Sequence, residues 1–184
     1  MTKPSKPTTS AYTELLTTLR ILDPVEAWVP SRNRFSPLAA APKHHLVDPA
    51  LAVRLLKRTT THLLTADDGP VVVPRDGSLL GDLFESLVAQ SIRTFAQAAQ
   101  ANVYHLRTRG GHREIDFIVE RDGGVLAIEA KLSGTVSDID VKHLRWLRRE
   151  LGEDLIDAII VNTGPEAYRR ADGIAVVPFG CLGP

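Results

Sequence analysis

The sequence predicts an α/β fold with a mixed sheet flanked by helices, and three observations carry that reading. Residues His112 to Leu132, "HREIDFIVERDGGVLAIEAKL", read as two strands around an Asp-Gly turn. Both central residues of a type I′ turn need positive φ, which makes Asp-Gly the strongest short hairpin signal. Upstream, Leu80, Leu83, Phe84, Leu87, Val88, Ile92 and Phe95 recur at helical spacing and form one broad apolar stripe. Downstream, "LIDAIIVNTG" is almost continuously apolar, the pattern of a strand buried on both faces.

The elements follow in order. Residues 1–11, rich in Pro, Ser, Thr and Lys, read as a disordered leader. From Tyr12, the spacing of Leu15, Leu16, Leu19 and Leu22 gives a helical stripe ended by Asp23-Pro24. "VEAWVPSRNRFSPLAAAPKHH" holds one or two short strands around a loop. "HLVDPALAVRLLKR" is a short strand entering a helix at Asp48, with Pro49 in the favoured first position. Residues 12–65 thus form a small N-terminal helical or winged segment, and the Gly, Pro and Asp of residues 66–78 mark a connector.

The main domain spans residues 79–184. It opens with the long helix, roughly Leu79 to Ala101, followed by the strand "NVYHLRT" and then the hairpin. "VSDIDVKHLRWLRREL" is a second amphipathic helix, with Ile139, Leu144, Leu147 and Leu151 inward and Ser137 or Asp138 as its cap. "GIAVVPFG" is a last strand.

Composition narrows the function classes. At 184 residues the chain can build one substantial core, or one domain with an appendage. No apolar run is long enough to span a bilayer, and the start lacks the apolar core of a signal peptide. One cysteine, Cys181, excludes an internal disulfide and a Cys-based zinc site, so the cytoplasm is the expected location. The 22 basic and 22 acidic residues balance, which argues against an indiscriminate nucleic-acid coat but leaves room for a local basic groove.

The hairpin carries the chemistry. With Asp122 and Gly123 as its turn, Arg121 pairs with Gly124, Asp116 stands opposite Glu129, and Glu114 stands opposite Lys131. Opposed carboxylates roughly 5 Å apart repel, and charge in an apolar strand is costly unless paired or metal-bound. The expected counter-charge is either Lys131 or a divalent metal. Asp116 and Glu129 can hold Mg²⁺ or Mn²⁺ through one or two carboxylates, with waters and a scissile phosphate completing the shell. Lys131, two residues from Glu129 and on the same strand face, can orient the attacking water or balance charge on the phosphate. Arg107, Arg109, Arg145 and Arg149 flank these residues in sequence and are candidates for DNA contact. The competing account is a purely structural ion cluster.

At these residues a resemblance appears. "EIDFIV" followed by "IEAKL" resembles the core of the PD-(D/E)xK nuclease superfamily, which implies a restriction-endonuclease-like fold and a Mg²⁺-dependent nuclease acting on DNA. The resemblance further implies a Glu from the first helix at the metal site, here Glu85 in "GDLFESLVAQSI". More closely, these segments and "PKHHLVDPALAVRLL" are similar to the C-terminal region of prokaryotic AAA-type ATPases catalogued as domain of unknown function 4143. That implies an ATPase or other protein partner. The chain has no G-x-x-x-x-G-K-[ST], so an ATP site is not expected. Where many nucleases of the superfamily carry a Gln motif, this chain reads "DVKHLRWL", leaving Lys142 or His143 as substitutes. The alternative is a catalytically inactive nuclease fold, a DNA- or protein-binding accessory of an ATPase system.

Overall fold

The computed structural model describes residues 4–30, 38, 41–65 and 79–183. The expected connector at 66–78 lies outside these residues. In chain order the elements are α1 (Lys6–Thr18), β1 (Leu22–Ala27), β2 (Lys43–Leu46), α2 (Pro49–Leu55), α3 (Thr60–Thr65), α4 (Leu79–Ala98), β3 (Asn102–Arg107), β4 (Glu114–Arg121), β5 (Gly124–Ala130), α5 (Lys142–Leu151), β6 (Leu155–Asn162), β7 (Tyr168–Arg169) and β8 (Ala175–Pro178). One mixed sheet of eight strands, in the order β2-β1-β3-β4-β5-β6-β8-β7, runs through the molecule.

The N-terminal segment builds part of this sheet. Strand β1 pairs antiparallel with β2 and parallel with β3, and Trp28 N–H donates to His105 O at 2.8 Å. Pro24, which lacks a donor, pairs with His44 in β2. The ladder to β3 begins only at Glu26, so the missing N–H costs no bond on that side.

Two apolar layers close on the sheet. On one face Phe84, Val88, Ala89 and Ile92 of α4 pack against Phe117, Ile128 and Val161. On the other, Leu144, Leu147 and Leu151 of α5 pack with Trp28, Ile115, Ile118, Ala127 and Ile160. No helix among the described residues is long and apolar enough to cross a membrane.

Three expectations change. The leader expected at residues 1–11 is helical from Lys6, because Ser5 caps the helix through Thr8 N–H and a proline opens its first turn. That helix stops at Thr18 and Asp23-Pro24 lies inside β1, because Arg20 takes a left-handed conformation (φ 57°) and Ile21 N–H bonds back to Leu16 O. Ile139 is exposed, not inward. Ser137 N–H and Oγ–H both donate to the Asp140 carboxylate, forming a turn that delays α5 to Lys142 and puts a fully buried Val141 just before it.

Candidate active site

The site grows out of the β4–β5 hairpin. Asp122 and Gly123 both have positive φ, 54° and 82°, as the type I′ turn requires. The expected register holds from Arg121↔Gly124 to Phe117↔Ile128. Beyond that point β4 bulges. Against β3, Tyr104 pairs with Ile118 but Leu106 pairs with Ile115, so Asp116 and Phe117 together stand opposite His105. A bulge bends its strand and re-aims a side chain. Here it places Ile115 and Ile118 in the α5-side core while Phe117 packs on α4.

Asp116 sits where the ladder opens. Its Oδ2 accepts the Ala130 N–H at 2.9 Å, taking the place of a strand carbonyl, and its Oδ1 is 3.2 Å from Lys43 Nζ. Glu129 continues the face of Val125 and Ala127 towards α5 and pairs with Lys131 at 3.1 Å. The expected Asp116–Glu129 pair does not form, because the ladder ends at Phe117↔Ile128; the two carboxylates act on each other only through charge, and each has its own lysine.

The lysine on Asp116 is the unexpected part. Lys43 arrives from β2, with Nζ 2.6 Å from Glu85 Oε1, 3.2 Å from Asp116 and 3.5 Å from Glu114. Strand alternation turns Lys43 and His45 to one face, which the motif "KHH" was able to signal but only in company with its distant partners. His45 is buried beside them, with Nε2 3.8 Å from Glu85 and Nδ1 3.2 Å from Ser86 Oγ.

The electrostatics follow from burial and crowding. Burial, then the Asp116 charge, raises the pKa of Glu129 from 4.5 to about 8, against the pull of Lys131. Burial and Asp116 likewise raise Glu85 to about 7, opposed by Lys43. For Lys43, burial works against the ammonium, but Asp116 and Glu85 outweigh it and the pKa rises. Lys131 is raised in the same way, Glu129 outweighing burial. Burial and Lys43 push His45 down to about 4, leaving a neutral imidazole at physiological pH. The charged neighbours of Glu85 are Asp116, Lys43 and Glu114, whereas those of Glu129 are Asp116, Lys131 and Lys43. Asp116 is the link between the two halves.

The arginines divide. Arg107 lies 3.7 Å from Glu114 and is half exposed; Arg109 and Arg149 are exposed. Arg145 is bound to Asp138 and Asp172 at 2.8 and 2.6 Å, so its guanidinium is already engaged. Of the two residues at the start of α5, Lys142 is exposed, while His143 Nδ1 donates to Glu114 O at 2.7 Å and fixes the entry of β4.

Among the described residues no group of three His, Cys, Asp or Glu side chains is arranged to hold a metal. Magnesium asks for less, since one or two carboxylates suffice when waters and phosphates complete its shell. Asp116 and Glu129 supply that chemistry. Oε2 of Glu129 is buried without a hydrogen-bond partner, an arrangement that costs about 1–3 kcal/mol. A hard cation fits that donor set.

The sequence from residue 80 to 182, more than half of the chain, matches the family of domain of unknown function 4143. The chain belongs to that family. Residues 2–62 match a second one, domain of unknown function 8612. A search of curated proteins finds no match. The family 4143 match covers α4 and the whole hairpin, and so Glu85, Asp116, Glu129 and Lys131; the 8612 match covers Lys43 and His45.

Proposed function

We propose that this chain is a divalent-metal-dependent nuclease of the PD-(D/E)xK type, hydrolysing phosphodiester bonds in DNA in the cytoplasm. The observation that carries the reading is the buried, partnerless Oε2 of Glu129, a residue that feels the Asp116 charge and whose Oε1 lies 3.1 Å from the Lys131 ammonium. Asp116 and Glu129 are the residues that would hold Mg²⁺ or Mn²⁺. When bound, the ion supplies Lewis-acid polarisation of the phosphate and a more acidic water. Lys131 is kept protonated by Glu129, which suits it to balance charge developing on the phosphate rather than to remove a proton. Glu85, which feels the Asp116 charge, assists from α4, and exposed Arg107, Arg109 and Arg149 hold the DNA backbone.

One observation favours a second reading. Lys43 neutralises Glu85 and Asp116 from within, as a structural ion cluster would, and that suits a nuclease fold that binds DNA or an ATPase partner without cutting.

Cleavage assays on linear, circular and single-stranded DNA with Mg²⁺ or Mn²⁺ separate the two. The nuclease reading expects metal-dependent cutting that Lys131→Ala reduces by about 100-fold or more with DNA affinity nearly unchanged, since one cation contributes only part of a distributed phosphate-binding term. Salt-dependent binding with no cutting would establish the accessory reading. Cutting that survives both Lys131→Ala and Glu129→Ala would remove these residues from the chemistry.

A further inference from the structure

Three parallel strands, β5, β6 and β8, end side by side, and Asn162 closes the middle one. It is 1% exposed, and its Oδ1 has no hydrogen-bond partner. The apolar run that makes "LIDAIIVNTG" a strand buried on both faces gives no reason for an amide at its end. A buried acceptor left unsatisfied is costly and calls for a cause.

Strand register puts that amide beside Lys131. Glu129 pairs with Ile160 and Ala130 with Val161, and Lys131 N–H donates to Val161 O at 2.8 Å, so the next position along brings Lys131 level with Asn162. Ile160 packs in the α5-side core, and alternation gives Asn162 the same face, which is also the face of Glu129 and Lys131. Neighbouring strands lie about 5 Å apart, within the reach of a lysine side chain. Two loops hold the other end of the amide. A Cβ on Gly164 would stand 2.8 Å from both Asn162 Nδ2 and Gly134 O, and Thr163 N–H donates to Ser133 O at 3.3 Å. The amide nitrogen therefore packs against Gly164, and Oδ1 is the end left without a partner.

An ammonium has three protons to donate, and among the described residues only Glu129 meets that of Lys131 within hydrogen-bond distance. We infer that Asn162 is a positioning residue whose Oδ1 is the second acceptor of the Lys131 ammonium, holding it in place when the Glu129 carboxylate turns to a metal. The inference deepens the nuclease reading and rests on it for the metal, but its test does not use cleavage. A neutral amide suits the role. It orients the ammonium without cancelling the charge that a phosphate is to meet, as a further carboxylate would.

The experiment reads proton exchange of the lysine ammonium groups by heteronuclear magnetic resonance, because a hydrogen-bonded ammonium exchanges slowly with water. The chain has six lysines, and Lys131→Arg identifies the signal. Wild type, Asn162→Leu and Glu129→Met are compared with Glu129→Met combined in turn with Asn162→Leu, Asn162→Ala and Asn162→Asp, each checked for native circular dichroism. Without metal, Glu129→Met should keep the Lys131 protons protected. Adding Asn162→Leu or Asn162→Ala should speed their exchange about tenfold or more, the loss of one hydrogen bond to a charged group, while Asn162→Asp keeps the protection. With saturating Mg²⁺, Asn162→Leu alone should show the same loss against wild type. Protection that depends on Asn162 without metal, together with no response of wild type to Mg²⁺, upholds the second acceptor and counts against the nuclease reading. Fast exchange already in Glu129→Met, or equal exchange with and without the Asn162 amide, overturns the inference and leaves the nuclease reading to the cleavage assay. Mg²⁺ binding after which Asn162→Leu exchanges as slowly as wild type also overturns it.

Discussion

Glu129 is nine-tenths buried, yet its chemistry is set by what stands beside it. Its folded pKa of about 8 lies above its ordinary 4.5, so the folded state holds a proton that the unfolded chain releases. Stability from such a group is complete below pH 4.5 and is lost as pH rises through 8. His45 acts in the opposite direction, because its pKa falls from 6.5 to about 4 and the unfolded chain binds the extra proton. Its contribution is present above pH 6.5 and lost as pH falls through 4. In metal-free buffer the melting temperature should therefore decline between pH 6.5 and 8.5, at roughly 2–4 °C per kcal/mol for a chain of this size. Glu129→Gln should flatten the decline, and so should saturating Mg²⁺ by binding the folded state. A slope unchanged by either would mean that the buried carboxylate is neutralised by a group other than those around it here.

Helix ends explain where sequence-based boundaries slip. α1, α2 and α4 each close through a left-handed residue that is not glycine: Arg20, Lys57 and Gln100, with φ of 57°, 52° and 55°. In each case the following N–H bonds back five residues, as Ala101 does to Ala96 at 2.8 Å, which is the Schellman closure. Glycine at that position carries no Cβ penalty, so Gln100→Gly should stabilise the protein by up to about 1 kcal/mol, read from urea unfolding. Gly123, in the hairpin turn, gives the converse. Nothing lies within 4 Å of a Cβ built on it, so Gly123→Ala tests conformation alone. At φ 82° it should cost roughly 1–2 kcal/mol. A neutral result at both positions would show that the closures are not held as described.

Across the whole molecule, the N-terminal segment and the family 4143 region share one sheet and one core. Val25 and Trp28 are 1% and 2% exposed, and Trp28 packs with Leu106, Ile115 and the leucines of α5. Removing residues 1–47 would strip β1 and β2 from β3, leaving an unpaired edge and an open core. That truncation should lose its cooperative melt and its monodisperse elution on size-exclusion chromatography. Trp28→Ala in the full chain should cost about 3–5 kcal/mol. A truncated protein that melts as sharply as the full chain would show the segment to be an appendage, as its composition suggests.

The sequence by itself determined the local features whose cause is local. The Asp-Gly turn fixed the hairpin register from Arg121 to Phe117, the apolar stripe fixed α4 and its inward residues Phe84, Val88 and Ile92, and Asp48-Pro49 fixed the start of α2, where the Asp48 carboxylate accepts the Ala50 N–H at 2.8 Å. It also brought Asp116 and Glu129 onto neighbouring strands, with Lys131 one residue past the end of the second, because strand pairing is short-range once the turn is known. Only the tertiary structure decided how those charges are compensated. Lys43 reaches Asp116 across 73 residues of sequence, and no periodicity reports on a contact set by the order of strands in a sheet. The bulge at Asp116 and Phe117 is of the same kind, since it exists only against β3 and turns an expected face-to-face pair of carboxylates into two lysine-bound halves joined through Asp116.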